Sequence, residues 1–544
     1  MTASLILLLS TSAASTLEPI RLQPREDRPR AFVDTSGRER IFHGTNAIVK
    51  GPPWLPDSRS FSHDVSMAAE DFAWMQRMGL NVLRLGVMWP GLEPVRGQYN
   101  ASYLDELERI AELAATYGVY TLLDMHQDGL SEHFCGEGIP TWAVRPATGG
   151  RLSLSRPFPE PFDSLKEPDD FYNETRLAGA PRLPTRAACK SHNLGPGHME
   201  STEATALAYG ALYANWDGVG EAWAAAWAQV AAARFADQPH VLGLELFNEP
   251  FAGDFYHNPA IMAPSPNPWN ADKLNLQPAY DNISKAVRAV SPDALIFFAG
   301  VTWDDEGSGF TAPPGGAAEA NRSVLAYHYY SINLSPSEDL GVMTRSARKL
   351  GTASFLTETS NPGTHGADKF AIPGGVGDQA DALLQSWAGF EWKSFCREEA
   401  AGPSNVSQFG VFGACKTGYG ADSFTGDGGL APTPSVQRDA TRTYATAIAG
   451  RAISMRYNGS SAAFTLVYNA TGLASNISTE IFVWPARYPG GAVVAATASD
   501  GSAMLIDYNG AGNRIQVRAS SELAVGTQVV VTVGKKVQHV VEAS

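Results

Sequence analysis

Between residues 40 and 450 the chain alternates short, nearly continuous apolar runs with longer segments whose apolar positions recur at helical spacing. The runs at 41–49, 82–89, 120–126, 241–249, 294–300, 323–330, 353–359 and 384–392 predict eight strands covered on both faces, the habit of a parallel sheet. The segments 64–78, 103–117, 218–237, 276–290 and 435–448 predict helices, the second ending before Gly118 and the last before Gly450. Strands and helices interleaved in this way predict an α/β fold, a (β/α)8 TIM barrel. A doubly wound sheet is the alternative, but no Gly-rich phosphate loop follows the first run.

Two stretches depart from that rhythm. Residues 143–205 are rich in Pro, Arg, Gly and Asp and show little periodicity, so they read as a long insertion after the third strand, over the active face of the barrel. After residue 450 the pattern becomes short alternating strands (453–457, 463–468, 479–484, 504–508, 514–518, 528–533) punctuated by Asn, Gly and Ser. That predicts a C-terminal antiparallel β-sandwich domain. The expected division is a signal peptide at 1–16, a barrel domain at 17–450 and the sandwich at 451–544.

At 544 residues, 44% hydrophobic and 18% charged, the chain can bury large cores. Its formal charge of −15 repels phosphate backbones, so nucleic acid is not an expected partner. No run of eighteen apolar residues is free of a polar break, so no membrane span is expected.

Asn-x-Ser/Thr sequons begin at Asn100, Asn173, Asn282, Asn321, Asn333, Asn405, Asn458, Asn469 and Asn476. Nine is well above the chance expectation of about three and points to the secretory pathway, with the product secreted or lysosomal/vacuolar. The four cysteines (Cys135, Cys189, Cys396, Cys415) are an even count that allows two disulfides in an oxidising compartment. The pairings favoured here are Cys396 with Cys415 and Cys135 with Cys189. None lies in a CxxC pair.

Catalytic groups of such barrels sit at the C-terminal ends of the strands. Those ends carry Arg84, then Asp124, His126 and Asp128, then Asn248-Glu249, then His328 and Tyr330, then Glu358. Glu249 and Glu358 are expected to meet across the barrel mouth. Cleavage of a glycosidic bond with retention needs two carboxyl groups about 5–5.5 Å apart, one to attack and one to protonate the leaving oxygen. Nearby negative charge raises the pKa of the acid, while Arg84 and the Tyr330 hydroxyl would hold Glu358 ionised. Asn248 would donate to the sugar 2-hydroxyl. Taken singly, Arg84 reads as a salt-bridge partner, His126 and His328 as satisfied histidines, and Glu358 as a helix N-terminal acid. In order at successive strand ends they point to catalysis. The chemical rival is a metal site made from His126, Asp128 and Glu249; the chain offers no convincing ligand set, and neither metal nor cofactor is expected.

This order resembles the clan of retaining glycosidases with glycoside hydrolase family 5 as its type. The blocks LLDMHQDGLSEHFCGEGIPTWA (122–143), ELFNEPFAG (245–253) and FLTET (355–359) are similar to the endoglycoceramidases and their relatives. The resemblance covers most of 40–450; it reaches the sandwich through architecture and FVWPARYPGG (482–491). It implies Glu249 as acid/base and Glu358 as nucleophile in cleavage of the bond between glycan and ceramide of a glycosphingolipid. It also implies contact with a membrane surface through that lipid, and glycan-binding roles for Lys50, Asp128 and Trp216. Where the family usually sets a Trp platform under the cleaved sugar, SWAGFEWKSF (386–395) places Phe390, flanked by Trp387 and Trp392. Phenylalanine keeps an apolar stacking face but has less area and no N–H. Two other readings stay open: a β-glucosidase for steryl glucosides or glucosylceramide, or a cellulase-type endoglucanase, and a glycan-binding protein that has lost turnover.

Overall fold

A computed structural model describes residues 17–62, 65–134, 136–148, 200–231, 235, 238–265, 267–301, 307–330, 334–361, 368–393, 395, 431–509 and 512–536. Eight parallel strands close a barrel: β4 (His43–Ala47), β5 (Val82–Val87), β6 (Tyr120–Met125), β7 (Val241–Glu245), β8 (Ile296–Ala299), β9 (Ser323–Tyr329), β10 (Ala353–Ser360) and β11 (Trp387–Phe390). Each falls on one of the eight predicted runs, and most are shorter. The runs at 82–89, 120–126, 241–249 and 323–330 extend past their strands into the loops at the C-terminal ends, where the backbone leaves the ladder to present its side chains.

The barrel interior has two halves of opposite character. Near the strand starts it is apolar, filled by Val82, Tyr120, Leu122, Phe297 and Phe355. One turn of the pleat further, the inward positions become Arg84, Asp124 and Glu245, all fully buried. Strand alternation makes this compatible with one core: on β5, Leu83, Leu85 and Val87 pack outward against helices while Val82 and Arg84 face in.

The N-terminal end of the barrel is closed by two strands that the sequence pattern did not disclose, β1 (Ile20–Gln23) and β2 (Ala31–Asp34). The ring of Phe32 lies 5.5 Å from that of Phe42 and 6.0 Å from that of Phe355, and Leu22 joins the same cluster. With β3 (Glu39–Arg40) these strands do not belong to the barrel. They extend a seven-stranded sheet, β1-β2-β3-β12-β15-β18-β17, with β12 (Tyr444–Ile448), β15 (Thr479–Phe482), β17 (Met504–Asn509) and β18 (Arg514–Ala519). A four-stranded sheet of β13 (Arg451–Tyr457), β14 (Phe464–Asn469), β19 (Gln528–Lys535) and β16 (Ala492–Ala498) lies against it.

The expected division into 17–450 and 451–544 is therefore corrected, since residues 20–40 and 444–448 are strands of the sandwich. The register Arg40↔Ala447 and Glu39↔Ile448 joins the two segments that flank the barrel, and the Arg38 guanidinium spans Asp34 (2.9 Å) and Glu480 (3.0 Å). The helix expected at 435–448 is corrected too. Helix stops at Asp439, and Tyr444–Ile448 is a strand because its neighbours β3 and β15 supply the ladder. Tyr444 also stacks on His43 at 3.5 Å between centroids, a long-range contact that a local helical pattern does not encode.

Among the sequons, Asn100, Asn282, Asn321, Asn458 and Asn476 are exposed, whereas Asn469 is half-buried in the central strand β14. Asn173, Asn333 and Asn405, the four cysteines, residues 1–16 and most of 143–205 lie outside the described residues. Among the described residues no helix is long and apolar enough to cross a membrane.

The junction of barrel and sandwich yields a test. Gly79 ends the helix Ala69–Met78 with φ +76°, and a Cβ built there would come within 2.5 Å of the Phe482 ring. Gly79→Ala combines left-handed backbone strain with that clash and is expected to cost about 2–4 kcal/mol, read from denaturant unfolding.

Candidate active site

Every predicted barrel-end residue except Trp387 reaches the C-terminal face. Arg84, from the middle of β5, is the centre of the group. Its Nε and Nη2 bind Glu245 (2.7 and 3.1 Å), Nη1 reaches Asn46 (2.9 Å) and Glu358 (3.2 Å), and Nη2 also meets Asn248 (2.8 Å) and Asp124 (3.0 Å). One guanidinium thus touches side chains from β4, β6, β7 and β10 and from the loop after β7. Burial opposes its charge, but the surrounding carboxylates outweigh that and hold it protonated.

Glu358 on β10 receives two donors. Tyr330, just past β9, donates its hydroxyl to Oε1 at 2.8 Å, and Arg84 donates to Oε2 at 3.2 Å. Donors of this kind stabilise the carboxylate and fix its rotamer.

Glu249 has a different environment. It follows β7, and His328 Nδ1 lies 2.7 Å from its Oε1. Burial, followed by the negative charge of Asp128, pushes its pKa up to about 7. Burial holds the His328 imidazole below its ordinary value, so it is neutral at neutral pH. An oxygen of Glu249, a nitrogen of His328 and an oxygen of Glu358 all lie within 4.8 Å of one another. The two carboxyl groups therefore approach each other closely across the barrel mouth.

Around this pair sits a charged frame. Both ring nitrogens of His126 face carboxylates, Asp124 at 2.8 Å and Asp128 at 3.4 Å. Burial alone would lower its pKa, but these partners raise it to about 9, so His126 is an imidazolium. Both of its ring nitrogens are thus engaged by carboxylates. Lys50 pairs with Asp128 and lies 3.6 Å from Glu137. Burial of Asp128 is outweighed by Lys50 and His126, and its carboxylate stays ionised.

Phe390 ends β11 beside this frame. Its ring is nearly parallel to that of His126 at 6.3 Å, with Lys50 Nζ 5.4 Å from its centroid. Trp387, expected at the substrate, is instead at the start of β11 and fully buried, with its ring 4.7 Å from those of His43 and Phe370. Three residues separate strand start from strand end, and only the end reaches the open face. Trp392 is also buried, donating Nε1 to Asp71 at 2.9 Å. Trp216 is half exposed, before the helix Val219–Val230 that returns to β7, and borders an open cleft of about 450 Å³ with Leu207, Ala211 and Asp254.

The sequence reading missed four contributors. Glu245, four residues before Glu249, carries the main Arg84 ion pair. Glu137 backs Lys50, and its backbone pairs with that of Asp128. Gln127 is buried beneath Asn248 and Glu249. Glu200, from the end of the insertion, is held well above the usual carboxylate range by burial, Glu249 and Asp128. The residue types alone carried no signal for Glu200; Gln127 and Glu245 stood inside quoted motifs beside the residues that were chosen.

The chain matches known proteins over most of its length. The family model Cellulase (glycosyl hydrolase family 5) matches residues 43–160 and 190–392, more than half of the chain. The glycoside hydrolase family 5 C-terminal domain matches 442–533. The chain is 37% identical to an endoglycoceramidase of Cyanea nozakii, over 92% of this chain and 91% of that protein. It is 36% identical to an endoglycoceramidase of Hydra vulgaris, over 83% and 78%. In fold it is similar to endo-glycoceramidase II from Rhodococcus sp. in complex with ganglioside GM3, with TM-score 0.63 at 20% identity over 94% of this chain and all of that one.

The electrostatics give a direct test. Asp128 raises the Glu249 pKa, so Asp128→Asn is expected to bring it below its value of about 7. A 13C titration of labelled glutamate side chains reads the shift. An unmoved value would mean that Asp128 does not set it, and a higher one that Asp128 lowers it on balance.

Proposed function

The chain belongs to glycosyl hydrolase family 5, and from that premise we propose that it is a retaining endoglycoceramidase-like hydrolase. Its substrate in this reading is the β-linkage between the glycan and ceramide of a glycosphingolipid. The observation that carries it is the facing pair, carboxyl oxygens within 4.8 Å in unlike surroundings. The substrate class rests on the two relatives named endoglycoceramidase that match most of both chains.

Glu358, held by Arg84 and Tyr330, attacks the anomeric carbon as the carboxylate. Glu249, protonated below about pH 7, passes its proton to the departing ceramide oxygen. The bond from anomeric carbon to glycosidic oxygen breaks as that to Glu358 forms, giving a glycosyl-enzyme. Water then enters from the vacated side, Glu249 takes its proton, and the carbon–Glu358 bond breaks with net retention. Separate roles follow from separate environments: two hydrogen-bond donors, one of them cationic, on Glu358, and burial with an anionic neighbour on Glu249. Asn248 keeps Oδ1 on Arg84 and one N–H on the Gln127 carbonyl (3.0 Å), and its Nδ2, 3.5 Å from His126 Nε2, offers the other N–H to the sugar 2-hydroxyl.

Phe390 offers the apolar face beneath the sugar, and Lys50 with Asp128 supplies a donor and an acceptor for its hydroxyls. The rim at Trp216 extends the glycan or lipid path, and the enzyme meets its substrate at a membrane surface. Entry into the secretory pathway, with a secreted or lysosomal/vacuolar destination, is supported by five exposed sequons.

Product analysis decides the substrate. Incubation with a ganglioside is expected to release an intact oligosaccharide and ceramide. Free glucose from glucosylceramide, with the ganglioside untouched, would replace this reading with that of a β-glucosidase. The roles are checked separately. Glu358→Gln is expected to abolish turnover in a folded protein, and Glu249→Ala to form a β-glycosyl azide when azide is added. An α-azide would reverse the assignment.

A further inference from the structure

We propose that Gln127 and Tyr209 form a clamp that holds Glu249 in its working orientation, a positioning unit resting on the assignment of Glu249 as acid/base. The reason begins with the backbone. Glu249 has φ +41°, the left-handed region that side chains other than glycine rarely adopt. Such a residue persists only where its surroundings over-determine it. In an extended chain successive carbonyls point to opposite sides; the left-handed turn at Glu249 brings those of Asn248 and Glu249 to the same side.

Gln127 occupies that side. Its Nε2 donates to the carbonyl of Asn248 and to that of Glu249, both at 2.8 Å, which uses both N–H bonds. Its Oε1 accepts from the Leu130 N–H at 2.8 Å and from the Tyr209 hydroxyl at 2.7 Å. Leu130 is itself left-handed, with φ +68°. The primary carboxamide is thus saturated, and it ties two unusual backbone positions to one fully buried group. The backbone closes the unit from the other side: the Asn248 N–H donates to the Met125 carbonyl, and Asn248 Nδ2 to that of Gln127.

Tyr209 is the long-range element. It is fully buried on the helix Glu203–Tyr213, which begins at the end of the insertion. The amide could otherwise flip and present its oxygen to two carbonyls; a hydroxyl that must donate to Oε1 excludes that orientation. Gly138 completes the fit, because a Cβ there would stand 2.4 Å from the Gln127 Cα. The helix after the insertion therefore sets where the proton donor of the barrel points.

The test separates acid catalysis from general damage by leaving group. Gln127→Met preserves volume and removes all four hydrogen bonds. It is expected to lower kcat/KM about 100-fold on an alkyl β-glycoside, which needs proton donation, and less than about 3-fold on a 2,4-dinitrophenyl β-glycoside, which does not. Azide is expected to raise kcat on the activated substrate. Tyr209→Phe should show the same selectivity at about 5-fold, and it decides the matter if Gln127→Met does not fold. Equal losses on the two substrates, or no loss on either, would overturn the clamp. Glu249→Ala measured in parallel distinguishes the claims. If that variant lacks the selectivity, the acid/base assignment falls and the clamp with it; if it shows the selectivity and Gln127→Met does not, the clamp alone falls.

Discussion

A single buried cation organises this molecule. Arg84 sits where the barrel interior changes from apolar to charged, and it contacts Asp124, Glu245 and Glu358 together with Asn46 and Asn248. A guanidinium without water must be surrounded by acceptors, and those acceptors must come from several strands at once. The need to satisfy it sets the relative positions of β4, β6, β7 and β10 at the mouth. Its geometry also makes it a tool: fixed donors in one plane hold Glu358 and Asn248 in defined rotamers.

From that centre the charge distribution divides the two acids. Glu358 is bound by donors, whereas Glu249 is half-buried and feels the negative charge of Asp128, itself kept ionised by Lys50 and His126. The frame is close to self-neutralising, with cations and anions alternating from Lys50 through Asp128 and His126 to Asp124 and Arg84. Such a network is expensive to bury, and its members are tolerated because each has a partner. The cost is met at the opposite end of the barrel, where aromatic and aliphatic side chains fill the interior and Phe32 seals it.

The seal explains the topology of the second domain. The strands carrying Leu22 and Phe32 must lie under the barrel, and their free edge is covered by pairing β3 with β12. The sandwich is thus fastened to the barrel by the segments on both sides of it. Tyr444 on His43, with its hydroxyl on the Gly79 carbonyl, and Phe482 against Gly79 extend the same joint.

The eight barrel strands, the acid pair and the order of residues at the strand ends were legible in the amino-acid sequence. Continuous apolar runs are a local signal, and a strand end follows directly from where such a run stops. The strand at 444–448, the N-terminal strands and β16 were not, because short Ala-rich or mixed segments acquire β-structure only from the neighbours that complete their ladders. Trp387 was misplaced for a related reason: a position four residues long in sequence spans a barrel from closed end to open end. Tyr209 and Glu200 act through contacts between segments far apart in the chain, and nothing in their own surroundings in sequence marks them; Gln127 and Glu137 stood in a quoted block, but their partners are visible only in the fold. Residue order alone therefore determined the fold class and which side chains stand at the barrel mouth. The unlike surroundings of the two carboxyl groups were decided only by folding, since burial and the charges of distant neighbours do not exist until the barrel closes.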